Sequence, residues 1–507
     1  MVKVNCYLQR SLYSNTHLKR STSFMSNLDS LDKIVSLAKA RGFIFQSSEI
    51  YGGLSAVYDY GPLGVELKRN IRNAWWKEMT QRHDNIVGID AAIFMHPKVW
   101  EASGHVGGFN DPMIDDKQSK KRYRADMLIE QYILKLEKDG KEDKAGELQE
   151  LLDTAGTRKS MTEDLYDIIM ENEIRAPESG AFDWTEVRQF NLMFKTAFGA
   201  TASEDDIVYL RPETAQGIFV NYKNVLDSSR VGVPFGIAQT GKAFRNEVVA
   251  RQFVFRMREF EQMEMQYFVE PGTDGAAYDA WKEKRIGWHK RIGIREENLR
   301  FLDHPKDKLA HYALAAVDVQ YKFPIGWQEV EGIHNRSDFD LTQHQEFSGK
   351  KLDYFDQKQN KRYTPYVIET SIGLDRCTLM VLSDAYREEE VDGDKRVVLK
   401  MHPELAPIQV GIFPLIKKPA LQEVAHKIEA ELREEYSVQY DESGSIGKRY
   451  RRLDEAGTPF CITVDFDTIE KDNMVTIRHR DDMSQERIPI EKVADAIRDG
   501  IKNWKPE

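Results

Sequence analysis

Phe244-Arg245-Asn246-Glu247, followed by Phe255-Arg256-Met257-Arg258-Glu259-Phe260-Glu261-Gln262-Met263-Glu264, is the stretch on which the fold turns. A period of two puts Phe260, Gln262, Glu264 and Gln266 on one face of a strand and Met263, Met265 and Tyr267 on the other. On an ordinary surface sheet that alternation means only that water lies on one side. The charge is denser than a structural strand needs, with Arg245, Glu247, Arg251, Arg256, Arg258, Glu259, Glu261 and Glu264 crowded into one run. Guanidinium forks match phosphate oxygens, and a carboxylate further along can meet an ammonium. The run reads as strands built to hold a polyphosphate and an amine.

Working outward, residues 205–270 are rich in β-branched and aromatic side chains and predict several antiparallel strands. Within them Gly236-Ile-Ala-Gln-Thr-Gly241-Lys242-Ala243 falls one residue short of a P-loop, because Ala243 lacks the hydroxyl that would meet a metal. A glycine-rich hairpin turn is the expected structure there. Downstream, Tyr366-Val-Ile-Glu369-Thr370-Ser371-Ile372-Gly373-Leu374-Asp375-Arg376 alternates into a glycine and enters a helix. Gly373 would let a ligand approach the backbone, and Arg376 would meet an anion. Upstream, helical spacing covers 28–40 and 65–79, separated by turns at Gly52-Gly53 and Gly61-Pro62. Residues 115–179 turn to Lys, Glu, Asp and Leu and predict a helical insertion; residues 276–321 predict a second. Beyond Pro403 and Pro407 the order strand, helix, strand, helix, strand, strand, helix describes a small α/β domain. The expected division is a disordered tail at 1–28, an α+β domain at 29–403 with an antiparallel-sheet core, and an α/β domain at 404–507.

The chain has 507 residues, 41% hydrophobic and 31% charged, which suits a globular protein and excludes a disordered one. Eighty-three acidic against 72 basic side chains leave a formal charge of -11, so any nucleic-acid site must be a local basic patch. Cys6, Cys377 and Cys461 are too dispersed for a metal clip or a disulfide framework, as expected in a reducing cytoplasm. No apolar run is long enough for a membrane span. Residues 1–28 carry Lys3, Arg10, Lys19, Arg20 and many serines with no acid before Asp29, a composition shared by transit peptides, by plain tails and by a start extended upstream of Met25.

Taken together the motifs resemble a known family. Ser55-Ala-Val-Tyr58-Asp-Tyr60-Gly61-Pro62-Leu-Gly64, the Phe244 to Glu264 pair of segments, and Glu369 to Arg376 look like motifs 1, 2 and 3 of a class II aminoacyl-tRNA synthetase, in that order. Arg122-Tyr-Arg124-Ala-Asp126, Tyr209-Leu-Arg-Pro-Glu213-Thr-Ala-Gln-Gly217 and Gly326-Trp-Gln-Glu329-Val330-Glu-Gly332 narrow the resemblance to the dimeric glycyl-tRNA synthetases, over nearly the whole chain from about Leu31. The last hundred or so residues resemble the anticodon-binding domain shared by the glycyl, histidyl, prolyl and threonyl enzymes.

The resemblance implies activation of glycine by ATP to glycyl adenylate and pyrophosphate, then transfer to the 3′ end of tRNA(Gly), by a cytoplasmic homodimer using Mg²⁺. By the same resemblance Arg245 would hold the α-phosphate and Arg376 the γ-phosphate, as the catalytic pair. Asn246, Glu247, Phe255, Arg256, Met257, Arg258, Glu259 and Phe260 would frame ATP, with Gly373, Leu374 and Asp375 beside Arg376. Glu329 would sit at Mg²⁺ and ATP, with Val330 offering its backbone. Arg124, Glu213, Phe260, Glu261, Gln262, Met263, Glu264, Glu369, Thr370, Ser371, Ile372 and Gly373 would surround glycine, carboxylates facing its ammonium and crowding rejecting a β-carbon. Lys448, Arg449, Arg451 and Arg452, with Tyr450 among them, would meet tRNA. Three departures stand out. Asp116-Lys117-Gln118-Ser119 lies where many bacterial relatives carry a CxxC zinc knuckle, so no zinc is carried over; Thr370 replaces a proline common in relatives; and the tail has no counterpart. A class II enzyme for serine, threonine or proline fits the Arg-Pro-Glu213-Thr and Glu-Gln-Met-Glu264 segments less well. A non-catalytic nucleic-acid-binding descendant would have no need of both Arg245 and Arg376.

Overall fold

The computed structural model describes residues 31–199, 206–248, 252–306, 309–310 and 312–506; the tail at 1–28 and Cys6 lie outside them. A seven-stranded sheet forms the centre. Its strands in chain order are β1 (Ile86–Ile89), β2 (Phe235–Phe244), β3 (Glu259–Val269), β4 (Leu299–Asp303), β5 (Ala315–Phe323), β6 (Gly326–Asn335) and β7 (Tyr366–Gly373), arranged β4-β5-β6-β7-β3-β2-β1. Every neighbouring pair is antiparallel except β1 with β2.

Two expectations are corrected here. The glycine-rich segment from Gly236 to Ala243 runs straight through β2 with no turn, because glycine there answers a packing need: a Cβ on Gly241 would stand 2.2 Å from the buried Arg211 guanidinium. The segment 276–321 is not a separate insertion, since β4 and β5 extend the sheet edge. Among the strands expected in 205–270, the helix Ala215–Ser229 also appears.

The rear face of the sheet is covered by α1 (Pro62–Thr80), α2 (Asp274–Arg291) and α3 (Leu374–Ala385). Met263, Met265, Ile333 and Ile372 pack there against Ile71, Trp75, Trp281 and Leu379 in one continuous core. α1 starts tightly: Cβ atoms on Gly61 and Gly64 would come within 2.4 Å of the Gly42 carbonyl and 1.8 Å of the Phe43 carbonyl, so only glycine admits this approach. Asp375 ties α3 to α1, accepting from Lys68 Nζ at 2.8 Å and Tyr60 Oη at 2.6 Å. Behind β6, Arg285 and His289 grip the fully buried Glu331.

The front face divides. Phe235, Ile237, Phe268 and Val367 lie under the helix Ala215–Ser229. The rest of the face is polar, and it is not open to water as a surface strand would be: Gln239, Glu264, Gln266 and Glu369 are all buried.

Helices Ala125–Lys138, Glu142–Asp153 and Met161–Glu171 form the expected insertion around a core of their own, rooted on a three-stranded sheet. Asp116, standing in the departure noted above, accepts hydrogen bonds from the Ser119 and Ser179 hydroxyls and from main-chain N–H groups, which hold its carboxyl down to about 2. The carboxyl-terminal domain is a five-stranded mixed sheet, with the strand Gln485–Pro489 in addition to those expected. Its helix Ile446–Ala456 is pinned to the preceding domain by Arg396, which meets Asp454 at 2.8 Å, and to its own sheet by Arg478, which meets the same carboxylate at 2.9 Å.

Candidate active site

Antiparallel register brings the polar row together. Glu264 of β3 stands opposite Ser371 of β7 and Gln239 of β2; Gln266 stands opposite Glu369, which in turn stands opposite His334 of β6. With side chains alternating every residue, Gln262, Glu264, Glu369, Ser371 and His334 all project to the front. Glu213, just before the helix Ala215–Ser229, closes the group from above.

Three carboxyls in so small a space must differ in charge. Glu213 is penalised by burial, yet His105 at 3.3 Å, with Arg336 beyond, brings it down to about 2. Burial also opposes Glu369, but Arg336 at 2.7 Å and His334 at 3.2 Å hold it well below the usual carboxylate range. Glu264 has no cation to offset burial and faces Glu369 and Glu213, so its carboxyl is pushed well above that range. It is further bonded by the Thr214 hydroxyl. Arg336 makes a two-pronged contact with Asp340 at 2.8 and 2.9 Å, and Gln216 links Asp340 back to Glu213 at 3.1 Å on each side. The outcome is a small, mostly buried carboxyl pocket with a framework of fixed donors, whose ionised glutamates suit a compact cation.

Beside this pocket lie the arginines. Arg245 follows β2; its guanidinium is held between the Phe109 and Phe260 rings, 5.3 Å from each, while Nε donates to the Pro212 carbonyl at 3.0 Å. Asn246 donates its N–H to the Leu192 carbonyl at 2.7 Å. Glu247 pairs with Arg256 at 3.5 Å, and its carbonyl accepts from Arg258 at 2.9 Å. Arg376 lies in the first turn of α3, stacked 4.5 Å from the Phe255 ring and 3.1 Å from Glu329. Guanidinium and helix N-terminus thus present positive charge to one place. The Arg376 charge holds the Glu329 carboxyl below its ordinary value.

Several expected residues face elsewhere. Glu261, Met263, Thr370 and Ile372 sit on the rear of the sheet, Glu261 paired with Arg72 at 3.0 Å and Lys68 at 3.3 Å. Val330, Leu374 and Met257 belong to the core, and Asp375 to the α1 anchor. Only the main chain of these residues can reach the front. Glu259 pairs with Lys242 at 2.8 Å on an exposed stretch. Arg124 is held by Asp126 and Asp111, at the wall of a cavity of about 590 Å³ shared with Gly107 and Gly108. In the carboxyl-terminal domain Arg449 points inward, donating to the Pro414, Glu442 and Gly444 carbonyls, and Tyr450 bonds Thr463 under the Arg478 guanidinium. Arg449 and Tyr450 are thereby structural, which leaves Lys448, Arg451 and Arg452 as the basic face; Arg452 is itself tied to Asp441 and Ser443.

His105, Thr214, Gln216, His334, Arg336 and Asp340 were not expected from the sequence. Arg336 and Asp340 are spaced four apart at a strand-to-helix junction, a spacing that allows an ion pair but does not point to a pocket.

Similarity to known proteins runs over most of the chain. Sequence-family profiles match in three regions: the tRNA synthetase class II core domain (G, H, P, S and T) at residues 194–385, Glycyl-tRNA synthetase insertion domain 1 at 111–150 and 141–192, and the anticodon binding domain at 409–500. The chain is 58% identical over 468 residues to the glycine–tRNA ligase of Chlorobaculum tepidum, covering 92% of this chain and 99% of that protein. It is 53% identical over 482 residues to the glycine–tRNA ligase of Treponema denticola, covering 94% and 98%. Among solved structures, prolyl-tRNA synthetase from Cryptosporidium parvum complexed with L-proline and AMP superposes with a TM-score of 0.59 at 13% identity, over 94% of this chain and 79% of that one, a likeness of fold alone.

Proposed function

The chain belongs to the glycine–tRNA ligases, class II aminoacyl-tRNA synthetases, and on that premise we propose how its own residues carry out the charging of tRNA(Gly) with glycine. The observation that carries the proposal is the juxtaposition of a carboxylate pocket built for a small ammonium with two arginines, Arg245 and Arg376, held by aromatic rings at its mouth.

Glycine enters with its ammonium toward Glu213, Glu264 and Glu369 and its carboxylate toward Arg245. A carboxylate oxygen attacks the α-phosphorus of ATP, the bond between the α-phosphorus and the bridging oxygen breaks, and pyrophosphate leaves with the electron pair. A ribose hydroxyl at the tRNA 3′ end then attacks the adenylate carbonyl, the bond from carbonyl carbon to phosphate oxygen breaks, and AMP departs with the electron pair while the hydroxyl proton passes to its phosphate. Neither step needs a protein nucleophile, so positioning and charge stabilisation supply the catalysis. Arg245 braces the attacked phosphate; Arg376 holds the far end of the triphosphate; Phe255 and Phe260 keep both guanidinium groups in place. Selection for glycine rests on space: Gln262, Ser371 and the carboxyl row leave no room for a β-carbon.

Among the described residues no group of three or more His, Cys, Asp or Glu is arranged to hold a metal ion. Mg²⁺ still fits, because it keeps several waters and takes one or two carboxylates beside substrate phosphates, and Glu329 offers such a carboxylate next to Arg376. When bound there it would neutralise phosphate charge.

The proposal extends to a cytoplasmic homodimer in which a second copy covers α1 and the β1 edge. Support comes from a cleft of about 780 Å³ at that edge, lined by Arg72, Trp76, Ile89 and Lys242. No helix among the described residues is long and apolar enough to cross a membrane. Lys448 and Arg451 would meet the tRNA.

Charging of tRNA(Gly) transcript with labelled glycine tests the proposal. Wild type forms an acid-precipitable product that needs ATP, and Arg245→Ala forms none; charging by Arg245→Ala at the wild-type rate would refute the assignment of Arg245.

A further inference from the structure

Segment Ser103–Asn110, Ser-Gly-His-Val-Gly-Gly-Phe-Asn, has no part in the motif pattern, yet it touches both halves of the site. His105 Nε2 lies 3.3 Å from Glu213 Oε2, and its Nδ1 lies 2.8 Å from the Ser103 hydroxyl. The ring sits 5.6 Å from the buried Trp100 and 5.3 Å from Phe109, edge-on to the first and tilted to the second. Four residues further on, Phe109 is one of the two rings that hold Arg245.

Two features separate this from incidental packing. The imidazole is largely enclosed, 12% exposed, and both ring nitrogens are engaged, so its orientation is fixed. Whichever way Ser103 bonds Nδ1, facing a carboxylate makes Nε2 the donor. The second feature is on Glu213: one oxygen accepts from Gln216 at 3.1 Å and the other faces His105, so the carboxylate plane is set from both sides. Arg336 cannot do this work, because its forks are spent on Asp340 and Glu369.

We infer that His105 is a positioning residue for glycine recognition, fixing the Glu213 carboxylate in the orientation that receives the ammonium, while Phe109 of the same segment fixes Arg245. The inference rests on the proposed role of Glu213 at glycine. His105 touches neither ATP nor the reacting atoms. Its loss is expected in the affinity for glycine and not in that for ATP.

The test is glycine-dependent exchange of labelled pyrophosphate into ATP, with KM measured separately for glycine and ATP, on wild type, His105→Ala, His105→Gln and Glu213→Gln, each with a melting curve. His105→Ala should raise the glycine KM by about tenfold or more, the cost of a lost hydrogen bond to a charged group, and leave the ATP KM within about twofold. His105→Gln, which can still donate toward Glu213, should recover most of the loss. Unchanged glycine KM in a folded His105→Ala protein overturns the inference, as does a parallel rise in both KM values that glutamine does not repair. Glu213→Gln separates the two claims: if it too leaves the glycine KM unchanged, the reading of Glu213 fails, and if it alone raises that KM, only the role of His105 fails.

Discussion

Glu264 and Glu369 stand diagonally across one antiparallel strand pair with opposite tendencies: burial beside acidic neighbours pushes the Glu264 carboxyl well above the usual range, which favours the proton there, while Glu369 is held well below it. The asymmetry has a plain cause. Arg336 and His334 both reach Glu369, whereas Glu264 meets only the Thr214 hydroxyl and its acidic neighbours.

Glutamine is isosteric with a neutral Glu264, so Glu264→Gln should melt within about 2 °C of wild type. Glu369→Gln leaves Arg336 short of a buried partner and should lose about 3 kcal/mol. Thermal unfolding of the two variants checks the order; the reverse order would contradict the proton assignment.

Glu213 carries a pH signature. Its folded value, about 2, lies below the reference of 4.5, so its contribution to stability is present above 4.5 and is lost as pH falls toward 2. Glu213→Gln should therefore be less stable than wild type at neutral pH, by about 3 kcal/mol at most, and the gap should close in acid. Urea titrations at pH 7, 4 and 3 would show it.

Arg376 engages Phe255 and Glu329 at the edge of the site and contributes little to the core. Arg376→Lys keeps the charge but loses the planar fork, and the exchange rate should fall at least about tenfold. Arg376→Ala should fall by about a hundredfold or more, with the melting temperature unchanged for both.

In the carboxyl-terminal domain two neighbouring basic residues should behave oppositely. Lys448→Ala should weaken tRNA binding and lower the slope of its salt dependence by about one, without altering pyrophosphate exchange. Arg449→Ala removes a buried donor to three carbonyls and should destabilise the domain instead. Filter binding across a salt series, paired with unfolding curves, distinguishes them.

Gly64→Ala would force a methyl against the Phe43 carbonyl at 1.8 Å, which neither main chain can yield easily. A loss of about 3 kcal/mol or more is expected, read as a lower urea midpoint.

The sheet core was legible because its strands repeat every two residues and its arginines and carboxylates occur in runs. Phe260 to Glu264 and Glu369 to Gly373 sit where their alternation placed them. What escaped notice depends on register and distance. The period of two already sets Glu261 and Glu264 on opposite faces of the strand, but nothing in the sequence says that one meets Lys68 and the other Glu369. Glycines at 236 and 241 look like a turn until the side chains against them are seen, Ile86, Met265 and Tyr267 at Gly236 and Arg211 at Gly241. Strands β4 and β5 were hidden inside a segment dominated by one long helix. The basic run at 448–452 was read by charge alone, and the helix turned Arg449 inward to the Pro414 carbonyl. His105 and Arg336 reach the pocket from segments distant in the chain, and a lone histidine beside glycines gives no sign of the carboxylate it will meet.

The central claim is that this pocket activates glycine and no larger amino acid. Exchange of labelled pyrophosphate into ATP, measured with glycine, alanine, serine and no amino acid, tests it most directly. Exchange with glycine alone, abolished in Arg376→Ala, is the predicted result. Exchange with alanine or serine at the glycine rate, or none with any amino acid from folded protein, would contradict it.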